Sequence, residues 1–289
     1  MSFKNLELKI KYRSSDDDIV SDFYIPVLNN AKLYKRAVGF FSSSSLLQVS
    51  KGITGLLRNN GKIKLVASPK LNKKDIEAIN QGYEERSKVI KDSLLRNFKD
   101  PKNYYEEERL NIVAHLIANN SLDIKIAYYE EKGIGLYHEK IGIVYDNNNN
   151  RVAFTGSLND SETAFTKNFE SIDVFCDWIS KESKERVEDK ENDFDKMWHN
   201  KTNRIKITDF PQALKDKIIE YKKDNINLNI DKEELEKERI KEKEYEYKTF
   251  YPKIPSNIEL YDYQKDAIKS WENKNYKGIF DMATGTGKT

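Results

Sequence analysis

A single cysteine, Cys176, stands in a chain of 289 residues, so no disulfide within the chain is possible. Beside Phe175 and Trp178 it reads as a buried thiol. No stretch approaches the roughly 18 apolar residues of a membrane span, and the opening Met-Ser-Phe-Lys-Asn-Leu-Glu is no secretory leader. A cytoplasmic protein without membrane contact is the expectation. Histidines number three, and His138 has no second ligand at His-x-His or His-x3-His spacing, which disfavours a metal centre. Charge of one sign is also scarce: 50 Lys/Arg against 48 Asp/Glu gives a net charge of +2. No whole-chain polycation argument for nucleic acid follows. Only residues 1–70, with 12 Lys/Arg against 5 Asp/Glu, tilt toward an anionic partner. Internal repeats are lacking too.

What is there suffices for one large or two ordinary domains: apolar residues make up 38% and charged residues 34%. Residues 3–12 alternate weakly, with Leu6, Leu8 and Ile10 on one parity, and suit a strand. Residues 16–24 suit a helix with acids in its first turn. Residues 34–41 read as a buried strand. Any of the serines Ser42 to Ser45 can cap a helix marked by Leu46, Leu47, Val49, Ile53, Leu56 and Leu57. Asn59-Asn60-Gly61 ends that helix, and residues 62–68 form the next strand. This is a β-α-β unit, so the two strands are expected to be parallel. A polar helical region over 73–98, a helix over 106–118 containing a packing or surface His115, and a strand over 122–128 follow. Residues 169–175 suit a strand, 181–198 a surface helix, and 231–247, nearly all Lys and Glu, a solvated helical spacer.

The most informative stretch is 136–175. On a strand, Leu136, His138, Lys140 and Gly142 share one face, and Tyr137, Glu139, Ile141 and Ile143 the other. An imidazole and an ammonium therefore stand side by side, with space at Gly142. The turn at 146–150 returns the chain through 152–155 to Gly156-Ser157-Leu158-Asn159. Asn159 followed by Glu162 is a capping-box pattern, and a helix starting there offers free N–H groups to an anion. Glu170 opens the next strand, where it can accept a bond from the histidine ring and fix its tautomer. Each signal alone has a bland reading: a strand histidine is ordinarily structural, and Gly-Ser-x-Asn is a common turn. Their order on hairpin, loop and strand is far more specific, and it points to a phosphate-handling site.

These residues, His138-Glu-Lys140, Gly156-Ser157-Leu-Asn159 and Glu170, resemble the phospholipase D superfamily of HKD phosphodiesterases over residues 1 to about 200. The nearer resemblance is to the nuclease domains that precede helicases in bacterial DNA-processing and defence proteins. It implies that His138 attacks phosphorus, that Lys140 and Asn159 hold phosphate oxygens and that Glu170 orients the histidine; the Ser157 hydroxyl joins them around the anion, and no metal is expected. The full family pattern, His-x-Lys-x4-Asp, places an acid where Tyr145 stands, and Asp146 comes one residue later. The family builds one site from two motifs. The single His-x-Lys here therefore implies a homodimer with facing His138 side chains.

A second signal lies in 258–289. Gln264 sits in an amphipathic helix, residues 278–281 read as a short strand, and Met282-Ala-Thr-Gly285-Thr-Gly287-Lys288-Thr289 follows. Such a loop cradles phosphates with its N–H groups, with Lys on the β/γ oxygens and Thr on Mg²⁺. It resembles motif I (Walker A) of superfamily 2 helicases, preceded by a Q-motif-like Gln264. The resemblance implies binding of ATP and Mg²⁺ by a full-length motor. With the chain stopping at Thr289, ATPase activity is not expected from it alone. The combined expectation is an α/β protein: a phospholipase-D-like mixed sheet flanked by helices (1–200), a charged helical linker (201–253), and a truncated RecA-like helicase start (254–289). Its function is expected to be that of a metal-independent nuclease acting on nucleic acid, with DNA favoured, through a phosphohistidine in a homodimer. The alternative is a non-catalytic DNA- or phosphate-binding and dimerisation module of a helicase. Lipid hydrolysis is disfavoured by the helicase start.

Overall fold

The computed structural model of the chain describes residues 2–81, 85–129, 137–156, 170–237, 239–240, 259–275 and 277–278. Two units emerge, one closing at Glu236 and a second starting at Lys237.

The first unit is built on an eight-stranded mixed sheet. Its strands are β1 (Lys11–Arg13), β2 (Ala31–Phe40), β3 (Lys62–Ser68), β4 (Leu122–Tyr129), β5 (Ile141–Asp146), β6 (Arg151–Gly156), β7 (Ser171–Cys176) and β8 (Ile205–Asp209). Their order is β1-β7-β6-β5-β2-β3-β4-β8. β2, β3 and β4 run parallel, as the β-α-β reading requires, and the other neighbours are antiparallel.

Strand periodicity sorts the side chains into two layers. One face is covered by a π-helical turn (Val20–Tyr24) and the helices α1 (Ile25–Leu28), α2 (Ser43–Val49), α3 (Ile53–Arg58), α5 (Arg86–Asn97) and α6 (Tyr104–Ala118), while α4 (Lys73–Gln81) packs against α5. Phe23, Leu28, Leu46, Leu56, Leu94 and Leu110 form the core there with Tyr34, Val144 and Phe154. The other face meets α7 (Lys181–Trp198), whose Val187, Phe194, Met197 and Trp198 pack on Ala37, Val66, Ala127, Ile141 and Ile143. β2 is therefore buried on both faces, which is why Lys35 and Arg36 are interior residues. Lys35 faces α7 and pairs with Glu191 and Asp195 at 3.0 and 2.9 Å. Arg36 faces the other layer, with its guanidinium 5.1 Å from the Phe154 ring centre.

Several expected boundaries shift. The strand expected over 3–12 shrinks to β1. Phe3–Asn5 is a 3-10 turn, because Phe3 is fully buried and its N–H donates to Asp146 in the β5–β6 turn at 2.9 Å. The acids at 16–18 organise a turn before the helix: Asp17 accepts from Lys9 Nζ and Arg13 N, and Asp18 accepts from Val20 N. Helix 46–57 splits into α2 and α3 at Gly52, whose φ of +77° is left-handed and whose N–H donates to Asp231. Region 73–98 is two helices rather than one. The strand expected from residue 136 starts at Ile141, so His138 and Lys140 lie in the segment leading into it.

The expected linker contributes more than a spacer. β8 pairs antiparallel with β4, and α8 (Gln212–Ile219) buries Leu214 and Ile218. Residues 230–237 are helical, with Ile230 and Asp231 buried. Arg109 holds that helix: its Nη1 donates to Asp231 and to Ser50 O, and its Nε and Nη2 both donate to Glu234. Asp231 also accepts from Thr54 Oγ1 at 2.6 Å. In the second unit α9 (Asp262–Asn273) is formed. Among the described residues no helix is long and apolar enough to cross a membrane.

Candidate active site

The C-terminal end of β2, the start of β5, the end of β6 and the start of β7 meet at one end of the sheet, as the register Ala37–Ile141–Thr155–Asp173 requires. His138 and Lys140 precede Ile141, Gly156 ends β6 and Glu170 precedes β7, so all four stand at that end of the sheet. Gly156 has a steric reason: a Cβ there would fall 2.0 Å from Ser171 O, so only glycine lets β6 and β7 close at this point.

His138 is exposed while Lys140 beside it is buried, with 9% of its surface accessible. Lys140 Nζ lies 2.8 Å from His138 Nδ1 and 3.2 Å from Nε2. Thr155 Oγ1 donates to Lys140 O at 3.0 Å and fixes the backbone beneath the ammonium. The Phe40 ring at the end of β2 lies 5.8 Å from the imidazole. Partial burial, and next the Lys140 charge, lower the His138 pKa below the ordinary imidazole value. The shift favours the neutral ring, the form with a lone pair available to an electrophile.

Glu170 is 5% exposed, and its backbone is anchored both ways to Ser14: Ser14 N–H donates to Glu170 O, and Ser14 Oγ accepts from Glu170 N. Its Oε2 is buried without a hydrogen-bond partner among the described residues. A buried carboxylate oxygen in that condition is costly and stands ready for a donor. Ser157 and Asn159 lie outside the described residues, as do Gly285, Gly287, Lys288 and Thr289. Gln264 is described, and its Oε1 accepts from Tyr261 N at 2.9 Å, so here it caps α9.

The displaced acid is resolved by strand parity. Tyr145 points toward α7, where its hydroxyl donates to Glu191 and its ring carries Lys35 Nζ at 5.2 Å. Asp146 points to the other face and is fully buried. It accepts from Phe3 N, Asn148 N, Asn150 N and Asn150 Nδ2. It lies ~20 Å along the strand from Lys140 and organises the hairpin turn instead of the chemistry. His115 is a packing residue, with Nε2 2.8 Å from Lys223 O, and Cys176 is a buried thiol pushed up to about 12, chiefly by burial. Among the described residues no group of three or more His, Cys, Asp or Glu is placed to hold a metal ion.

Sequence reasoning missed the cleft beside His138. It has a volume of about 630 Å³ and is lined by Tyr129, Tyr137, His138, Glu139, Asp193, Lys196, Met197, Lys201, Thr202, Asn203 and Ile205. Most of these residues come from the end of α7 and the loop into β8, which no local pattern ties to the histidine. The available signal was the Ile205-Lys-Ile-Thr alternation, which marks a strand.

With this geometry in view, the likenesses to known proteins take their place. NucT from Helicobacter pylori is 16% identical, with 69% of this chain and 98% of that chain covered and a TM-score of 0.37. Nuc from Salmonella typhimurium, a phospholipase D family member, is 15% identical, with 65% and 89% covered and a TM-score of 0.34. The phosphatidylserine synthase of Haemophilus influenzae is 14% identical, with 81% of this chain and 46% of that chain covered and a TM-score of 0.39. The family described as "Type III restriction enzyme, res subunit" matches residues 257–289. No curated protein matches the chain. The two expected resemblances, to phospholipase D proteins and to a helicase-related domain, are both found.

Proposed function

We propose that the first unit is a phosphodiesterase of the HKD type that cleaves nucleic acid, tethered to an ATP-dependent motor. The observation that carries this reading is the His138–Lys140 contact: an exposed imidazole against a buried ammonium at the end of the sheet where the buried Glu170 leads into β7.

In this reading Lys140 holds non-bridging phosphate oxygens, and Ser157 and Asn159 add donors from the β6–β7 connection. The imidazole of His138 attacks phosphorus. An N–P bond forms as the P–O bond to the leaving group breaks, and the leaving oxygen takes a proton from the His138 of a second copy, which enters the step as the imidazolium and acts as general acid. That second imidazole then removes a proton from water as the water breaks the N–P bond and frees His138. Glu170 accepts an N–H from an imidazole and stabilises its cationic form. No metal enters these steps. Residues Gly285 to Thr289 carry the pattern that would bind ATP and Mg²⁺, with Lys288 on the phosphates and Thr289 on the cation.

The test is cleavage of bis(p-nitrophenyl) phosphate and of single- and double-stranded DNA in EDTA. Activity that persists in EDTA and disappears in His138→Ala is the expected result. Cleavage that EDTA abolishes, or that survives loss of His138, defeats the mechanism. For the dimer, inactive His138→Ala subunits mixed with wild type should lower activity below the wild-type share.

A further inference from the structure

We propose that the cleft beside His138 is a nucleoside subsite, seating the base and sugar attached to the scissile phosphate. The proposal rests on the reading of His138 and Lys140 as the phosphate-holding pair, and it adds which chemistry flanks that phosphate.

Three observations carry it. The first is position: His138 itself lines the cleft, together with its neighbours Tyr137 and Glu139, so whatever fills the cleft adjoins the imidazole. The second is charge. The lining holds two lysines, Lys196 and Lys201, and two carboxylates, Glu139 and Asp193. These cancel. Neither lysine makes an ion pair among the described residues, and both are exposed. A second phosphate there would meet Glu139 and Asp193 as well as the lysines, and an acyl chain would strip water from four charged groups. A neutral group rich in donors and acceptors satisfies all of them. The third is the remaining lining. Tyr129 is half-buried at the end of β4 and offers a ring, and Thr202 and Asn203 offer a hydroxyl and an amide. A flat ring that stacks, with polar edges and a hydroxylated sugar, is what this combination receives. The amide of Asn203 can both donate to and accept from a base edge, and the carboxylates can accept from an exocyclic amine or a sugar hydroxyl.

The subsite is placed by tertiary structure. Tyr129 ends β4, Glu139 precedes β5, Asp193 and Lys196 lie on α7, and Asn203 lies before β8, which pairs with β4 through Tyr129 and Ile205. Pairing of β8 on the sheet edge brings the 201–203 loop to the histidine.

The experiment compares binding of inorganic phosphate with binding of thymidine 3′- and 5′-monophosphate by calorimetry, which needs no turnover. The tighter of the two nucleotides should bind about tenfold better than phosphate, the worth of one stacked base at the lower end of its range. Tyr129→Leu and the exposed Asn203→Ala should each remove most of that advantage while phosphate affinity stays as in wild type. Circular dichroism confirms the fold of each variant, and Asn203→Ala, at a loop surface, keeps the test valid if Tyr129→Leu misfolds. Equal affinity for nucleotide and phosphate, absence of nucleotide binding, or an advantage that survives both substitutions overturns the subsite. Loss of phosphate binding in His138→Ala with Lys140→Ala tests the phosphate site separately, so the two readings fail in different arms.

Discussion

Replacing Lys140 by methionine separates the chemistry of the site from its stability. The ammonium is 9% exposed and sits 2.8 Å from the imidazole. Methionine fills a similar volume without a charge. A buried ammonium is expensive to hold away from water, so folding free energy should be unchanged or slightly improved. Catalysis should suffer. A cation aimed at phosphate oxygens in a partly dry site does the work of an oxyanion-hole donor, whose removal lowers kcat by roughly 10²–10³. The pH profile supplies an independent sign. Burial and then Lys140 lower the His138 pKa; without the charge only burial remains, so the imidazole protonates at higher pH. The acid limb of kcat/KM should therefore move to higher pH. Linkage gives a companion result. A histidine whose folded pKa is depressed contributes stability above its unfolded value, near 6.5, and that stability is lost as pH falls through the folded pKa. Urea melts at pH 7 and pH 5 should show the variant losing less on acidification than wild type. A kcat within threefold of wild type, or an acid limb that moves down, would refute the argument.

Gly142→Ala should cost about 1–3 kcal/mol in urea unfolding, because a Cβ there would come within 2.1 Å of the Phe154 ring, itself packed edge-on against Phe23 and Tyr24. Asp231→Ala should destabilise the first unit by about 3–5 kcal/mol, since it leaves the buried Arg109 short of a partner; thermal melts check this, and a loss under 1 kcal/mol would show that Glu234 alone suffices. Asp146→Ala should cost about 3 kcal/mol, because it strips the acceptor from four donors, while activity per folded molecule remains. Burial raises the Asp146 pKa, yet the donors on Asn150, Phe3 and Asn148 outweigh it and hold the carboxyl below its ordinary value. Its stabilisation is thus complete at neutral pH and fades as pH falls below about 4, so wild type and Asp146→Ala should converge in stability in acid.

Local pattern alone carried the β-α-β unit, the hairpin and the helix over 181–198, because each is written in a short-range period: apolar runs for β2 and β3, a turn of asparagines after Asp146, helical spacing at Val187, Phe194 and Met197. It also carried the His138–Lys140 pair, since residues two apart near a strand start share a face. Other features belong to tertiary structure. Tyr145 and Asp146 are adjacent letters, yet strand parity sends one to Glu191 and the other to Phe3 N. Residues 205–236 of the expected linker enter the fold because β4 leaves an edge for β8 and because a buried arginine far back in the chain, Arg109, binds Asp231 and Glu234. The cleft beside His138 joins side chains from β4, the segment before β5, α7, the loop before β8 and the start of β8. No period or motif links residues so far apart in sequence; only the pairing of sheet edges and the packing of α7 bring them within reach of one histidine.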